Sequence, residues 1–201
     1  MYGQVAVRLV VRYLEGLEAN EGLPLRLFSL EKDLAATVFV DVPGTGPLAV
    51  RLFGKADRVD QLPDGRLRVV DYKTGLVEAN DLNLTGYRNR YTPAEATERL
   101  LTEATPSADK VRQLWLYRFM LASTEKRATE NTAIVSMRNL DKGLLSADLS
   151  FLTSEGQDFV QVSEDLVRKI VLRILDPAEP IRKTDDLKKC EYCPYRGICA
   201  R

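Results

Sequence analysis

The sequence predicts an α/β domain in which helices pack on a mixed central sheet. Three observations carry this reading. The apolar pattern runs helix, strands, helix, strand, helix and then a cysteine-bearing tail, an order that suits helices layered on a sheet. Two strand-like stretches, Ala49 to Gln61 and Arg66 to Thr74, flank the turn-forming run Leu62-Pro63-Asp64-Gly65. A chain of 201 residues, 45% hydrophobic and 29% charged, can bury one sizeable core, so a single domain over 1–201 is expected.

Taken in order, Val5 to Leu17 sets Val7, Val10, Val11 and Leu14 at helical spacing, and Gly22-Leu23-Pro24 breaks that helix. Leu25 to Val42 reads as extended, and Pro43-Gly44-Thr45-Gly46-Pro47 as a turn into the next strand. Gly75 to Ser107 has little periodicity and reads as a long surface connection with a short helix from Pro93 to Thr102. Ser107 is expected to cap a helix from Ala108 to about Ala122, with Val111, Leu114, Trp115 and Leu121 on its apolar side. Thr132 to Arg138 has the composition of a buried strand. Ser154 and Gln157 form a capping-box pattern before a long helix carrying Phe159, Val162, Leu166, Ile170 and Ile174, which Asp176-Pro177 ends.

Composition narrows the chemistry. There is no histidine, which removes His-based acid–base catalysis, Ser-His-Asp triads and His-ligated zinc. Lysine plus arginine equals aspartate plus glutamate at 29 each, so a grip on nucleic acid through phosphates alone is not expected. No apolar run approaches the ~20 residues of a membrane span, and no leader pattern opens the chain, so a cytoplasmic protein without membrane contact is expected.

The segment from Gly54 to Gly75 is the informative one. Proline, aspartate and glycine at 63–65 suit a type I turn followed by a left-handed glycine, the three-residue hairpin loop with a bulge. That loop pairs Leu62 with Arg66 and so sets Asp57 opposite Asp71 and Lys55 opposite Lys73. Alternation then places Asp57, Asp71 and Lys73 on one face. Carboxylates directly opposite repel, and the neighbouring valines oppose full solvation. A hard divalent cation relieves that repulsion, with Lys73 in reach of a bound water or a phosphate oxygen. A solvated face in which Lys55 and Lys73 neutralise the two aspartates satisfies the same pattern.

The runs GKADRVD and VVDYKTG, with a short turn between them, resemble the core signature of RecB-like PD-(D/E)xK nucleases, G-x-x-D-R-[IV]-D followed by D-Y-K-T-G. The resemblance implies a restriction-endonuclease-like core that hydrolyses DNA with Mg²⁺ or Mn²⁺. In that pattern Asp57 and Asp71 are metal ligands, the Tyr72 backbone carbonyl is a third, and Lys73 is the catalytic lysine. Gln113 and Tyr117 match the family's Q-x-x-x-Y helix motif, the glutamine near the active site and the tyrosine at its border. Glu31 stands where the family often carries a glutamate that completes or supports the metal shell.

Cys190, Cys193 and Cys199 are the only cysteines, an odd and clustered set that suits metal ligation better than disulfides. Their spacing, with Pro194 after the second, resembles the C-terminal part of the iron–sulfur staple in AddB-type nucleases. A [4Fe–4S] cluster takes four thiolates, and three are present. This shortfall and the absent histidine of the family pattern lead us to expect a C-terminal portion of a longer protein, whose remainder completes the cluster. By the same resemblance the expected partners are DNA, as single-stranded ends, and a helicase-nuclease subunit of AddA type, in double-strand-break repair. A catalytically silent nuclease-fold module and a stand-alone exonuclease remain alternatives. In this chain by itself, packing of Tyr192, Tyr195 and Ile198 is expected to hold the tail.

Overall fold

Strands β1 (Leu27–Val42) and β2 (Gly46–Gln61) form a long antiparallel hairpin, closed where Thr45 N–H donates to the Val42 carbonyl at 3.0 Å. The computed structural model describes residues 2–21, 26–103, 105–153, 157–180, 182–185, 187–191 and 193–200. Strands β3 (Leu67–Lys73), β4 (Ala133–Ser136) and β5 (Leu144–Ser146) extend the sheet in the order β1-β2-β3-β4-β5. Of these four neighbouring pairs, β3–β4 is parallel and the others are antiparallel. Parallel neighbours need a long crossover. Here it carries α2 (Thr85–Arg88), α3 (Pro93–Thr102) and α4 (Pro106–Glu125).

Helices lie on both faces of the sheet, as the sequence predicts. On one face α4 and α5 (Phe159–Leu175) cover Leu34, Ala36, Val38 and Val40 of β1 and Leu67 and Val69 of β3. Trp115 of α4 donates its indole N–H to Ser163 of α5 at 2.7 Å, so the two helices are joined by a satisfied buried polar contact as well as by packing. On the other face Tyr13 of α1 (Tyr2–Glu21) packs with Val70, Ala133, Val135 and Leu140. The outer edge of β1 is not left open. Thr124 Oγ1 bonds both backbone groups of Ala35, and Arg168 donates to the Phe39 carbonyl, which blunts edge-to-edge pairing. Among the described residues no helix is long and apolar enough to cross a membrane.

Several expectations need correction. Helix α1 exists, but Val7, Val10, Val11 and Leu14 lie exposed, and the helix docks through the flank bearing Tyr13. Periodicity revealed an apolar stripe without saying which surface it meets. Thr105, not Ser107, caps α4: its hydroxyl accepts from Ala108 N–H, because Pro106 with its preset φ takes the first helical position. Asp158 caps α5 by accepting from Gln161 N–H, so the helix starts later than a Ser154–Gln157 box requires, and Ser154 lies outside the described residues. So do the helix-breaking residues Gly22, Leu23 and Pro24. The stretch after β3 is no simple surface connection, since Val77, Leu82 and Leu84 are buried in the core with Trp115 and Leu149. The sequence pattern does not predict strand β5, since three residues are too few to show a period. The short α6 (Leu187–Cys190) opens the tail. Tyr195 and Ile198 are exposed and cannot hold that tail by packing, and Tyr192 lies outside the described residues.

The turn itself is as read. Leu62 N–H donates to Arg66 O at 2.8 Å, Gly65 N–H to Leu62 O at 2.9 Å, and Gly65 has φ +85°. An L residue in that conformation is strained by roughly 1–2 kcal/mol. Gly65→Ala is therefore expected to lower unfolding free energy by about that amount in urea titrations, with an unchanged slope. A midpoint equal to the parent's would show that the turn carries no such strain.

Candidate active site

The ladder between β2 and β3 runs Gln61↔Leu67, Asp60↔Arg68, Val59↔Val69 and Arg58↔Val70, the register that the turn chemistry dictates. It stops there, one pair short of Asp57 and Asp71. Beyond Arg58 the strands part: β3 continues beside β4, with Lys73 against Ser136, while Lys55 pairs with Asp33 on β1. The expected Lys55–Lys73 pairing is thus not made, because the ladder ends before reaching it. In place of a ladder bond, Asp57 Oδ2 accepts the Tyr72 backbone N–H at 2.8 Å.

The parting has a local cause in β2. Ala56 and Val59, three residues apart, both belong to the core beneath α4 with Phe119 and Met120. Strict alternation would send them to opposite faces, so the strand turns over between them, at Asp57 and Arg58. The facing strand is irregular at the same level. Leu30 pairs with Arg58 and Lys32 with Ala56, which leaves Glu31 opposite Asp57 with φ +47°. This is an uncommon conformation for a non-glycine residue.

On the α4 side of the parting the polar groups converge. Asp71 is 5% exposed. Lys73 Nζ lies 2.9 Å from Asp71 Oδ2 and donates to Gln113 Oε1 at 2.9 Å. Because an ammonium only donates, it orients the amide, turning Gln113 Nε2 toward Asp71 Oδ1 and Tyr117 Oη, both at longer range (3.5 and 3.4 Å). Gly54 lets α4 approach: a Cβ there would stand 3.2 Å from Met120 and 3.5 Å from the Tyr117 ring. Burial pushes the Asp71 carboxyl above its ordinary value; Lys73 opposes that shift and the negative charge of Asp57 adds to it. Asp57, Asp71, Lys73, Gln113 and Tyr117 therefore form one cluster.

Among the described residues, other sequence candidates make no contact with it. The Glu31 side chain is exposed and pairs with Lys55 at 3.5 Å. Cys190, Cys193 and Cys199 are half-buried, and among the described residues no three His, Cys, Asp or Glu side chains gather as a metal nest. Lys183 Nζ donates to the Cys199 carbonyl at 2.7 Å, tying the tail down by its backbone.

Sequence reasoning missed a buried charged cluster on the opposite face. Arg58 is 3% exposed and Asp60 1%. Arg58 meets both Asp60 oxygens, at 2.9 and 3.0 Å, and Arg68 meets one at 3.1 Å. Arg58 Nη1 also donates to the phenol oxygens of Tyr13 and Tyr72. The available signal was three charged residues, Arg58, Asp60 and Arg68, at one parity on paired strands otherwise rich in valine.

An α/β core whose parted strands present two carboxylates and a lysine beneath a glutamine-bearing helix has the architecture of a metal-dependent nuclease. A family model for the PD-(D/E)XK nuclease superfamily matches residues 3–200, and the chain belongs to that superfamily. No curated protein matches it significantly.

Proposed function

We propose that the chain is a Mg²⁺- or Mn²⁺-dependent deoxyribonuclease, hydrolysing phosphodiesters at DNA ends in break repair as RecB-like and AddB-type nucleases do. The observation that supports this most is Asp71 Oδ2, a buried oxygen that among the described residues meets only the Lys73 ammonium, at 2.9 Å. A buried carboxylate left in this way suits a cation. Asp57, whose Oδ2 is already held by Tyr72 N–H, would share that cation with Asp71 and the Tyr72 carbonyl, an all-oxygen set proper to a hard ion. Glu31 would join only by exchanging Lys55 for it. When bound, the ion supplies an activated water and offsets charge on the phosphate.

The rest falls to the chain's own side chains. Lys73 presents its ammonium to the attacked phosphate or to the water, and Gln113 fixes where that ammonium stands. Lys73→Ala is expected to lower the rate of Mn²⁺-dependent cleavage by about 10²-fold or more, the scale of a positioned proton-transfer or charge-bearing group. Gln113→Ala, which frees the lysine without removing it, should cost less. Cleavage of single-stranded and blunt-ended DNA followed by gel decides this. Binding of DNA without cleavage by the unaltered protein would favour the catalytically silent module instead.

The AddB-type reading extends to an AddA-type partner subunit, a longer parent protein and a [4Fe–4S] cluster on Cys190, Cys193 and Cys199. The residues here do not by themselves fit that cluster, because three thiolates leave one iron unligated. No step of the proposed hydrolysis depends on it. Iron and sulfide analysis of a full-length parent, with and without its partner, tests the extension.

A further inference from the structure

We propose that Arg58, together with Tyr13 of α1, is a positioning device that sets the end of β3 and thereby the separation of Asp57 from Asp71. The inference rests on the nuclease reading of that pair.

Tyr72 sits between Asp71 and Lys73 in the chain and is gripped from both sides of the sheet. On the α4 side, Asp57 accepts its backbone N–H at 2.8 Å. On the α1 side, Arg58 Nη1 donates to its phenol at 3.0 Å, and the Tyr13 phenol lies 3.1 Å away. The guanidinium also stands 5.7 Å from the Tyr72 ring centre, and the Tyr13 ring meets that ring edge-on at 5.6 Å. Asp57 and Arg58 are consecutive, so one dipeptide of β2 holds one residue of β3 by its backbone and by its side chain.

These grips occur where the β2–β3 ladder has ended, and where the strands would otherwise be free to spread. Asp60 makes the grip stiff. Its Oδ2 accepts from Arg58 Nη2 at 3.0 Å and from half-buried Arg68 at 3.1 Å, while Arg58 Nε stands at ion-pair distance, 2.9 Å, from its Oδ1, which restrains the guanidinium. Outer groups that orient a metal ligand commonly matter for affinity as much as for activity. The arrangement also makes the docking of α1 a condition of the site, because Tyr13 is the contribution of α1 to the clamp.

Mn²⁺ binding to the 201-residue chain without DNA, measured by titration calorimetry, tests this apart from catalysis. Tyr13→Phe and Tyr72→Phe, which delete one hydroxyl each, are expected to weaken Mn²⁺ by about tenfold. Urea unfolding of the same samples establishes that they are folded. Arg58→Lys, which keeps a countercharge for Asp60 but no fork, should weaken Mn²⁺ likewise. Three folded variants that bind Mn²⁺ as the parent does would overturn the clamp while leaving the nuclease reading intact. A parent chain that takes up no Mn²⁺ at all would overturn both.

Discussion

Asp71→Ala is expected to abolish metal-dependent cleavage while the protein stays folded. Asp71 is the one carboxylate of the cluster that is buried on the α4 face, and only the Lys73 ammonium, 2.9 Å from its Oδ2, offsets the desolvation of that oxygen. If it holds the cation, its loss removes several kcal/mol of transition-state stabilisation. At about 1.4 kcal/mol per decade, the rate should fall on the order of 10³-fold. A second signature is independent of turnover. A ligand that binds only the folded state stabilises it by roughly 2.7 kcal/mol at a hundred times its dissociation constant. Saturating Mn²⁺ should therefore raise the melting temperature of the unaltered chain and leave that of Asp71→Ala unmoved. Equal cleavage rates, or equal Mn²⁺-induced shifts, would reject the assignment and return Asp71 to a neutralised hairpin face.

Asp60→Ala is expected to have the largest effect on stability. Arg58, 3% exposed, would lose the carboxylate that it meets at 2.9 and 3.0 Å. Breaking a buried ion pair from one side typically costs about 3–5 kcal/mol, a large share of a domain's total stability. Urea titration against the parent measures it. A double variant, Arg58→Met with Asp60→Leu, removes both charges and should recover much of the loss, since a well-packed apolar replacement of a buried pair is often neutral. Its stability should then part from its metal affinity: folded, yet weak for Mn²⁺. A single Asp60→Ala variant as stable as the parent would show that the buried cluster bears no such load.

The sequence by itself determined the hairpin and the polar residues that it carries. Pro63-Asp64-Gly65 admits few backbone solutions, and local turn geometry fixes register without help from the rest of the chain, so Leu62 against Arg66 and Val59 against Val69 could be read directly. The helices carrying Trp115 and Leu166 were legible for the same reason, their apolar period being a local property. Tertiary structure decided what local rules cannot express. Alternation predicts which face a residue occupies only while the strand is regular, and β2 turns over at Asp57. The ladder therefore ends at Arg58 and the two carboxylates meet across parted strands. Burial likewise depends on what arrives from a distance. The apolar stripe of α1 stays outside, the polar stretch after β3 carries Val77, Leu82 and Leu84 inside, and Arg58 finds its partners in α1 and β3. Local geometry follows from neighbouring residues, whereas burial and charge pairing follow from elements that meet only when the whole chain has folded.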